Sequence, residues 1–328
     1  MIVFYQLLAG QLALNVGLVY VKNGMTIAQA NRWLVRAKQF ERMQSRAGWY
    51  HGYAVYLNGD NQTAVEGWKT NPEALERLTW LGKAATRQKN YERALQWYNV
   101  ALQISPDYAE GWGLKGDTLM ALQQLDSAID AYETALQLAS TPSHQIALAR
   151  ALIAAQTDLQ RAEQLLTQAS LSAPPSEELY RTLAELAEAR GDTPQALGWW
   201  EKAAEVEQAS VDTLLKLGEM YEQSGVPEKA VRVYLRAVER APTSSSVRLG
   251  LAQAYLTTRQ WEAALQEANQ LLAQFPDNFE AWFIAGKAYL GLGQHENALN
   301  ALTQAAIINP AHAEVQALLT QLNSSAPK

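Results

Sequence analysis

An all-α stack of antiparallel helix pairs is the fold class this chain predicts, and three observations predict it. The first is a ruler of small residues. Stepping by 34 from Ala230 in either direction meets Ala94, Ala128, Ala162, Ala196, Ala264 and Ala298 without one inserted residue. The second is what travels with the ruler. Seven residues after each mark stand Ala101, Ala135, Ala169, Ala203, Ala237, Leu271 and Ala305, and four after stand Tyr98, Tyr132, Leu166, Trp200, Tyr234 and Leu302, with Ala268 the exception. Twelve before are Gly82, Gly116, Gly218 and Gly286, with Ala184 and Ala252 as near equivalents, and twelve after are Pro106, Pro174, Pro242, Pro276 and Pro310. The third is the periodicity inside one unit. In Val211–Pro242, Leu214, Leu217, Gly218 and Tyr221 line one side of a first helix, Gly225-Val226-Pro227 breaks it, and Ala230, Tyr234 and Ala237 line a second. Small residues let helices approach closely and aromatics fill the gaps between pairs. A pair this short cannot bury both faces alone, so it needs a neighbour on each side.

This register resembles the tetratricopeptide repeat family, whose unit is a 34-residue helix–turn–helix, and the resemblance covers Leu75 to His312 in seven full repeats. It implies an all-α, right-handed superhelical solenoid. Local departures are Arg150 at a small-residue position, Lys115 at an apolar one, and Ser140 and Gln208 in place of the terminal proline. They predict looser packing around residues 140–155.

Taken in order, residues 1–21 carry no charge and have two readings. Their length suits a membrane-spanning helix, but Gln6, Gln11 and Asn15 are costly in lipid and Gly10 and Gly17 weaken the signal. Neither a basic start nor a small-residue cleavage site marks a secretory signal. Alternatively, Leu14–Gly24 makes a repeat's first helix, with Gly17, Tyr20 and Gly24 in place, and Ala30, Leu34 and Ala37 mark its second. The repeat reading is preferred. Residues 45–74 hold a further diverged copy in which Gly52, Gly59, Ala64 and Trp68 fall in register, its second helix cut about one turn short by Asn71-Pro72. The organisation is then residues 1–74 as diverged repeats with an apolar leading helix, 75–312 as seven regular repeats, 313–323 as a capping helix with Val315, Leu318, Leu319 and Leu322 on one side, and 324–328 as a tail. Lys22, Arg32, Arg36, Lys38, Arg42 and Arg46 cluster near the start, a solvated face or else a patch for anionic lipid or an acidic partner.

Composition narrows the function. At 328 residues with a formal charge of −6, the chain is acidic, which argues against general nucleic-acid binding. It has no cysteine, which excludes disulfides, thiolate metal sites and cysteine nucleophiles. Gly111-Trp112-Gly113-Leu114-Lys115-Gly116 matches a dinucleotide fingerprint formally, but no strand precedes it and the repeat already explains Gly116. His51, His144, His295 and His312 fall in different repeats without ligand spacing, so no metal is expected. No cofactor is expected either, and repeats leave no room for a separate catalytic domain.

The resemblance implies recognition of a protein or peptide in a concave groove lined by the first helices. Carried over residue by residue, the lining is Glu76, Thr79, Lys83, Thr86 and Arg87, then Glu110, Gly113, Asp117, Met120 and Ala121, then His144, Ala147, Ala151, Ala154 and Ala155. An acidic section follows, with Glu178, Arg181, Glu185 and Glu188 and then Asp212, Glu219 and Glu222, and an apolar one with Leu249, Leu256, Phe283 and Leu290 beside Lys287. The Lys, Asn and Arg clamp by which chaperone-binding relatives hold a terminal carboxylate is not filled. The expected function is a non-catalytic scaffold or adaptor whose partner has basic residues facing 178–222 and an apolar anchor over 249–290, through charge complementarity. The alternative is that the carboxylates only keep the surface soluble. Rival expectations are a membrane-anchored assembly factor tethered by residues 1–21, with the repeats on the cytoplasmic side, and a regulatory subunit or homodimer. Otherwise the expected location is cytoplasmic.

Overall fold

Eighteen helices and no strand make up the residues that the computed structural model describes, which are 13, 27–39 and 44–325. The chain forms two compact units, divided between Ala173 and Pro174. The first holds α1 (Ile27–Ala37), α2 (Gln44–Leu57), α3 (Asn61–Lys69), α4 (Ala74–Arg87), α5 (Tyr91–Ile104), α6 (Ala109–Ala121), α7 (Leu125–Leu138), α8 (Pro142–Ala154) and α9 (Leu159–Ser172). The second holds α10 (Glu177–Ala189), α11 (Thr193–Glu205), α12 (Val211–Gln223), α13 (Pro227–Arg240), α14 (Ser245–Thr257), α15 (Trp261–Gln274), α16 (Phe279–Gly291), α17 (His295–Ile308) and α18 (Ala313–Ser325). From α4 to α17 the helices pack as seven consecutive pairs, and within each unit the first helices of successive pairs also touch, as α6 does α8 and α12 and α16 do α14. Both competing readings of residues 1–21 fall outside the described residues, apart from Ala13, which is buried with Ala30, Leu34 and Ala37. Among the described residues no helix is long and apolar enough to cross a membrane.

The ruler is the core. All seven alanines of the 34-residue register, from Ala94 to Ala298, have no exposed surface. Beside them, a close contact between a small residue and a ring recurs across a sixteen-residue spacing. Gly116 faces Tyr132 so closely that a methyl group on it would stand 2.5 Å from the ring, and Gly82 and Gly218 face Tyr98 and Tyr234 in the same way. Other pairs divide the space differently: Ala252 stands sixteen before Ala268, Arg150 sixteen before Leu166 and Ala184 sixteen before Trp200, while a methyl group on Gly286 would fall 2.7 Å from Leu302. The diverged pair α2–α3 makes the same contact, with Gly52 under the fully buried Trp68, whose indole stacks on Trp49 at 5.0 Å. Its second helix spans nine residues against fourteen in α5, the truncation expected from Asn71-Pro72.

Looser packing around 140–155 is not observed. Leu148, Ala149 and Ala151 are fully buried, and the Arg150 guanidinium reaches out to Asp117 at 3.1 Å. Lys115, the other departure, lies with its ammonium 4.8 Å from the Trp112 ring centre. The missing proline at Gln208 has a backbone cause. Gln208 adopts φ of +61°, which a proline ring forbids, and Arg240 of α13 donates to the adjacent Ala209 carbonyl.

Each turn between paired helices ends in a left-handed residue whose successor donates back five positions, as Gln124 N–H does to the Leu119 carbonyl at 2.9 Å. Gly59, Gly191, Gly225 and Gly293 fill this position in four pairs, whereas Lys89, Gln123 and Arg259 hold φ of 57–59° in three others and Gln156 holds 50° in a fourth. A side chain there costs about 1–2 kcal/mol, offset in part by the greater entropy that glycine loses on folding. Gln123→Gly is therefore expected to stabilise the protein by about 0.5–1 kcal/mol, read as a raised urea midpoint at unchanged slope; a lowered midpoint would contradict the argument.

Candidate partner-binding face

The first helices of the pairs carry the sequence-derived residues, and the structure places them in two groups. The lining from Glu76 to Ala155, Lys83 and Arg87 included, stands on or at the end of α4, α6 and α8 in the first unit, and the acidic and apolar sections lie on α10, α12, α14 and α16 in the second. Lys83 is not an open charge. Its ammonium bonds Glu110 of the next first helix at 2.8 Å, which holds the Glu110 carboxyl below its ordinary range. Asp117 likewise accepts from the Tyr132 hydroxyl at 2.6 Å and from Arg150, and burial beside this carboxylate pushes the Tyr132 phenol well up.

In the second unit the acidic section is partly engaged from within. Glu188 accepts the Trp200 indole N–H at 2.7 Å and pairs with Lys216 of α12 at 3.3 Å. Lys216 was missing from the sequence-derived set because its register position carries apolar or small residues in other repeats, such as Ile284 and Gly250. Glu222 is half-buried and accepts the Tyr234 hydroxyl at 3.1 Å; burial, reinforced by Glu219, raises its pKa. Glu178, Asp212 and Glu219 are exposed, while Arg181 and Glu185 are half-buried. Glu177 lies in the first turn of α10. It accepts from the Ser210 backbone N–H and hydroxyl and from the Thr213 hydroxyl, tying the start of α10 to the start of α12.

The apolar section closes on the C-terminal helix. Phe283 is half-buried against Phe279 and His312, ring centres 5.9 and 5.1 Å away, with the Lys287 ammonium 5.0 Å over its ring. Lys287 also bonds Glu314 of α18 at 3.0 Å, the same bridge six repeats on from Lys83–Glu110. Leu249 packs half-buried against the core between α14 and α16, whereas Leu256 and Leu290 line an open cavity of about 440 Å³. The formal dinucleotide pattern lies inside α6, where Gly111 and Gly116 give way to the rings of Tyr108 and Tyr132.

Three family profiles tile this architecture. Residues 62–109 match the tetratricopeptide repeat, residues 99–213 the TPR domain of cytochrome c-type biogenesis protein H, and residues 177–326 the C-terminal domain of cilia and flagella-associated protein 70. Helix pairs repeating every 34 residues over small-residue contacts define a helical repeat protein. The chain belongs to the tetratricopeptide repeat proteins.

Among curated proteins it is 26% identical over 136 residues to the TPR repeat-containing protein YpiA of Bacillus subtilis, covering 42% of this chain and 32% of that one. It is 26% identical over 132 residues to the human protein O-mannosyl-transferase TMTC1, covering 40% of this chain but only 14% of the human protein. Among solved structures it is similar to the C-terminal part of a TPR repeat-containing protein from Cytophaga hutchinsonii, with a TM-score of 0.55 at 16% identity, covering 73% of this chain and 98% of that one.

Proposed function

We propose that the chain is a non-catalytic adaptor that holds a protein or peptide segment across the first helices of its second unit. One observation carries this reading. Positions 34 apart on α10, α12, α14 and α16 form two rows, Glu185–Glu219–Gln253–Lys287 and Glu188–Glu222–Leu256–Leu290. Both rows change from acidic to neutral or apolar at α14, so the face offers carboxylates to a basic stretch and a greasy end to an anchor. A surface that served solubility alone would not need its acidic residues graded along one face in this manner. Lys216 moderates the acidic end without cancelling it, because Asp212, Glu219 and Glu222 remain around it on α12.

The full chain and its Glu185→Lys/Glu219→Lys variant, used as paired baits in an extract of the native host, test this directly. Partners held by the unaltered chain should bind the variant at least ten times more weakly, and their affinity should depend less steeply on salt. Equal affinity and equal salt dependence would overturn the proposal.

A further inference from the structure

The cavity at the apolar end is built by residues that depart from the repeat. Its floor is Leu256 of α14, Leu290 of α16 and Leu318 of α18, and its wall is Trp261 at the start of α15. Trp261 stands where the neighbouring repeats have Pro227 and His295. It is seated by Gly291, since any side chain there would run into the indole, and the previous repeat has Thr257 at that position. These two residues thus meet to open a recess whose wall and seat differ from those positions in the neighbouring repeats. Lys287 and Glu314 close one rim by pairing with each other, which leaves the recess itself without net charge.

The recess also ends the two acidic rows. Successive first helices pack about 8–10 Å apart, and an extended peptide advances about 3.3 Å per residue, so about three peptide residues span one repeat. Leu256 stands one repeat from Glu222 and two from Glu188. We infer that this recess takes the bulky apolar side chain of an extended peptide whose lysine or arginine residues lie about three and about six positions away, over the Glu219–Glu222 and Glu185–Glu188 pairs. The inference rests on the adaptor reading above and specifies the segment it would hold. The carboxylates of Glu219 and Glu222 face a like charge and the Tyr234 hydroxyl, so an incoming cation improves their surroundings.

A phage-displayed library of random nonapeptides, panned on the full chain, supplies the probe. Enriched peptides should carry Trp, Phe, Leu or Met with a basic residue about three positions away and a second about six. Thr257→Trp, on the exposed rim, fills the recess without touching the core, and Gln253→Trp, one turn earlier on α14, does so as well. Each should weaken the best peptide at least tenfold in fluorescence anisotropy, with the helical circular dichroism signal unchanged. Peptides that weaken on Glu185→Lys/Glu219→Lys but bind both tryptophan variants normally would overturn the recess and leave the adaptor reading standing. Peptides indifferent to all these changes would overturn both, and apolar peptides with no spaced basic residue would overturn the spacing.

Discussion

Gly218→Val is expected to destabilise the second unit by about 3 kcal/mol, against the direction of helix propensity, which ranks valine above glycine. The cause is local. Tyr234 is 1% exposed, and its ring lies between Gly218 of α12 and Gly250 of α14, with a methyl group on Gly250 falling 2.9 Å from the ring. The ring cannot retreat on one side without striking the other, and its hydroxyl is held by Glu222. A glycine in the same unit supplies the contrast. Gly198 on α11 has nothing within 4 Å of where a methyl group would be, so Gly198→Ala should stabilise by about 0.5–1 kcal/mol. The decisive measurement is a double-mutant cycle in urea. Tyr234→Ala alone costs about 3–5 kcal/mol, but in its background Gly218→Val finds the space that the ring vacated and costs little more. If valine cost the same in both backgrounds, the ring would not be what demands glycine.

The same contact explains how much was legible beforehand. Side chains that pack by size repeat with the chain, so the positions of Ala230, Tyr234 and Gly218 in one unit located their equivalents in the others, and all seven alanines are fully buried. Polar contacts between repeats were less visible, because they join residues on different helices at separations that no single helix defines. Lys83–Glu110 and Lys287–Glu314 span 27 residues each and can be paired only after the register is known. Lys216 was missed for this reason, as was the bond from Ser210 to Glu177. Gln208 was read as a simple loss of proline, since backbone φ leaves no trace in a side-chain pattern. The acidic-to-apolar gradient was legible, but the recess was not: Trp261 and Gly291 are thirty residues apart, and each is unremarkable until the fold brings them together.

The largest effect that sequence did not announce lies at Arg248. Its Nε donates to the Pro242 carbonyl at 2.8 Å and its Nη1 to Glu267 at 2.5 Å, with the two side chains only 13% and 11% exposed. In two other repeats the position of Arg248 belongs to Trp112 and Trp282, whose indole N–H makes the same bond to Pro106 and Pro276, each at 2.8 Å. The position of Glu267 there belongs to Ala131 and Ala301, each 2% exposed. One fold therefore holds two solutions, a tryptophan over an alanine and an arginine over a glutamate. Removing one member of a nearly buried pair strands the other charge, which costs about 3–5 kcal/mol, whereas replacing both with apolar groups of fitting shape is about neutral or stabilising. Glu267→Ala is accordingly expected to cost about 3 kcal/mol, and Arg248→Trp at least as much because the indole also meets the glutamate. Arg248→Trp/Glu267→Ala together should return to within about 1 kcal/mol of the unaltered protein. Urea unfolding of the four proteins measures the coupling. Additive losses would mean that the ion pair and the indole are not alternative fillings of one site.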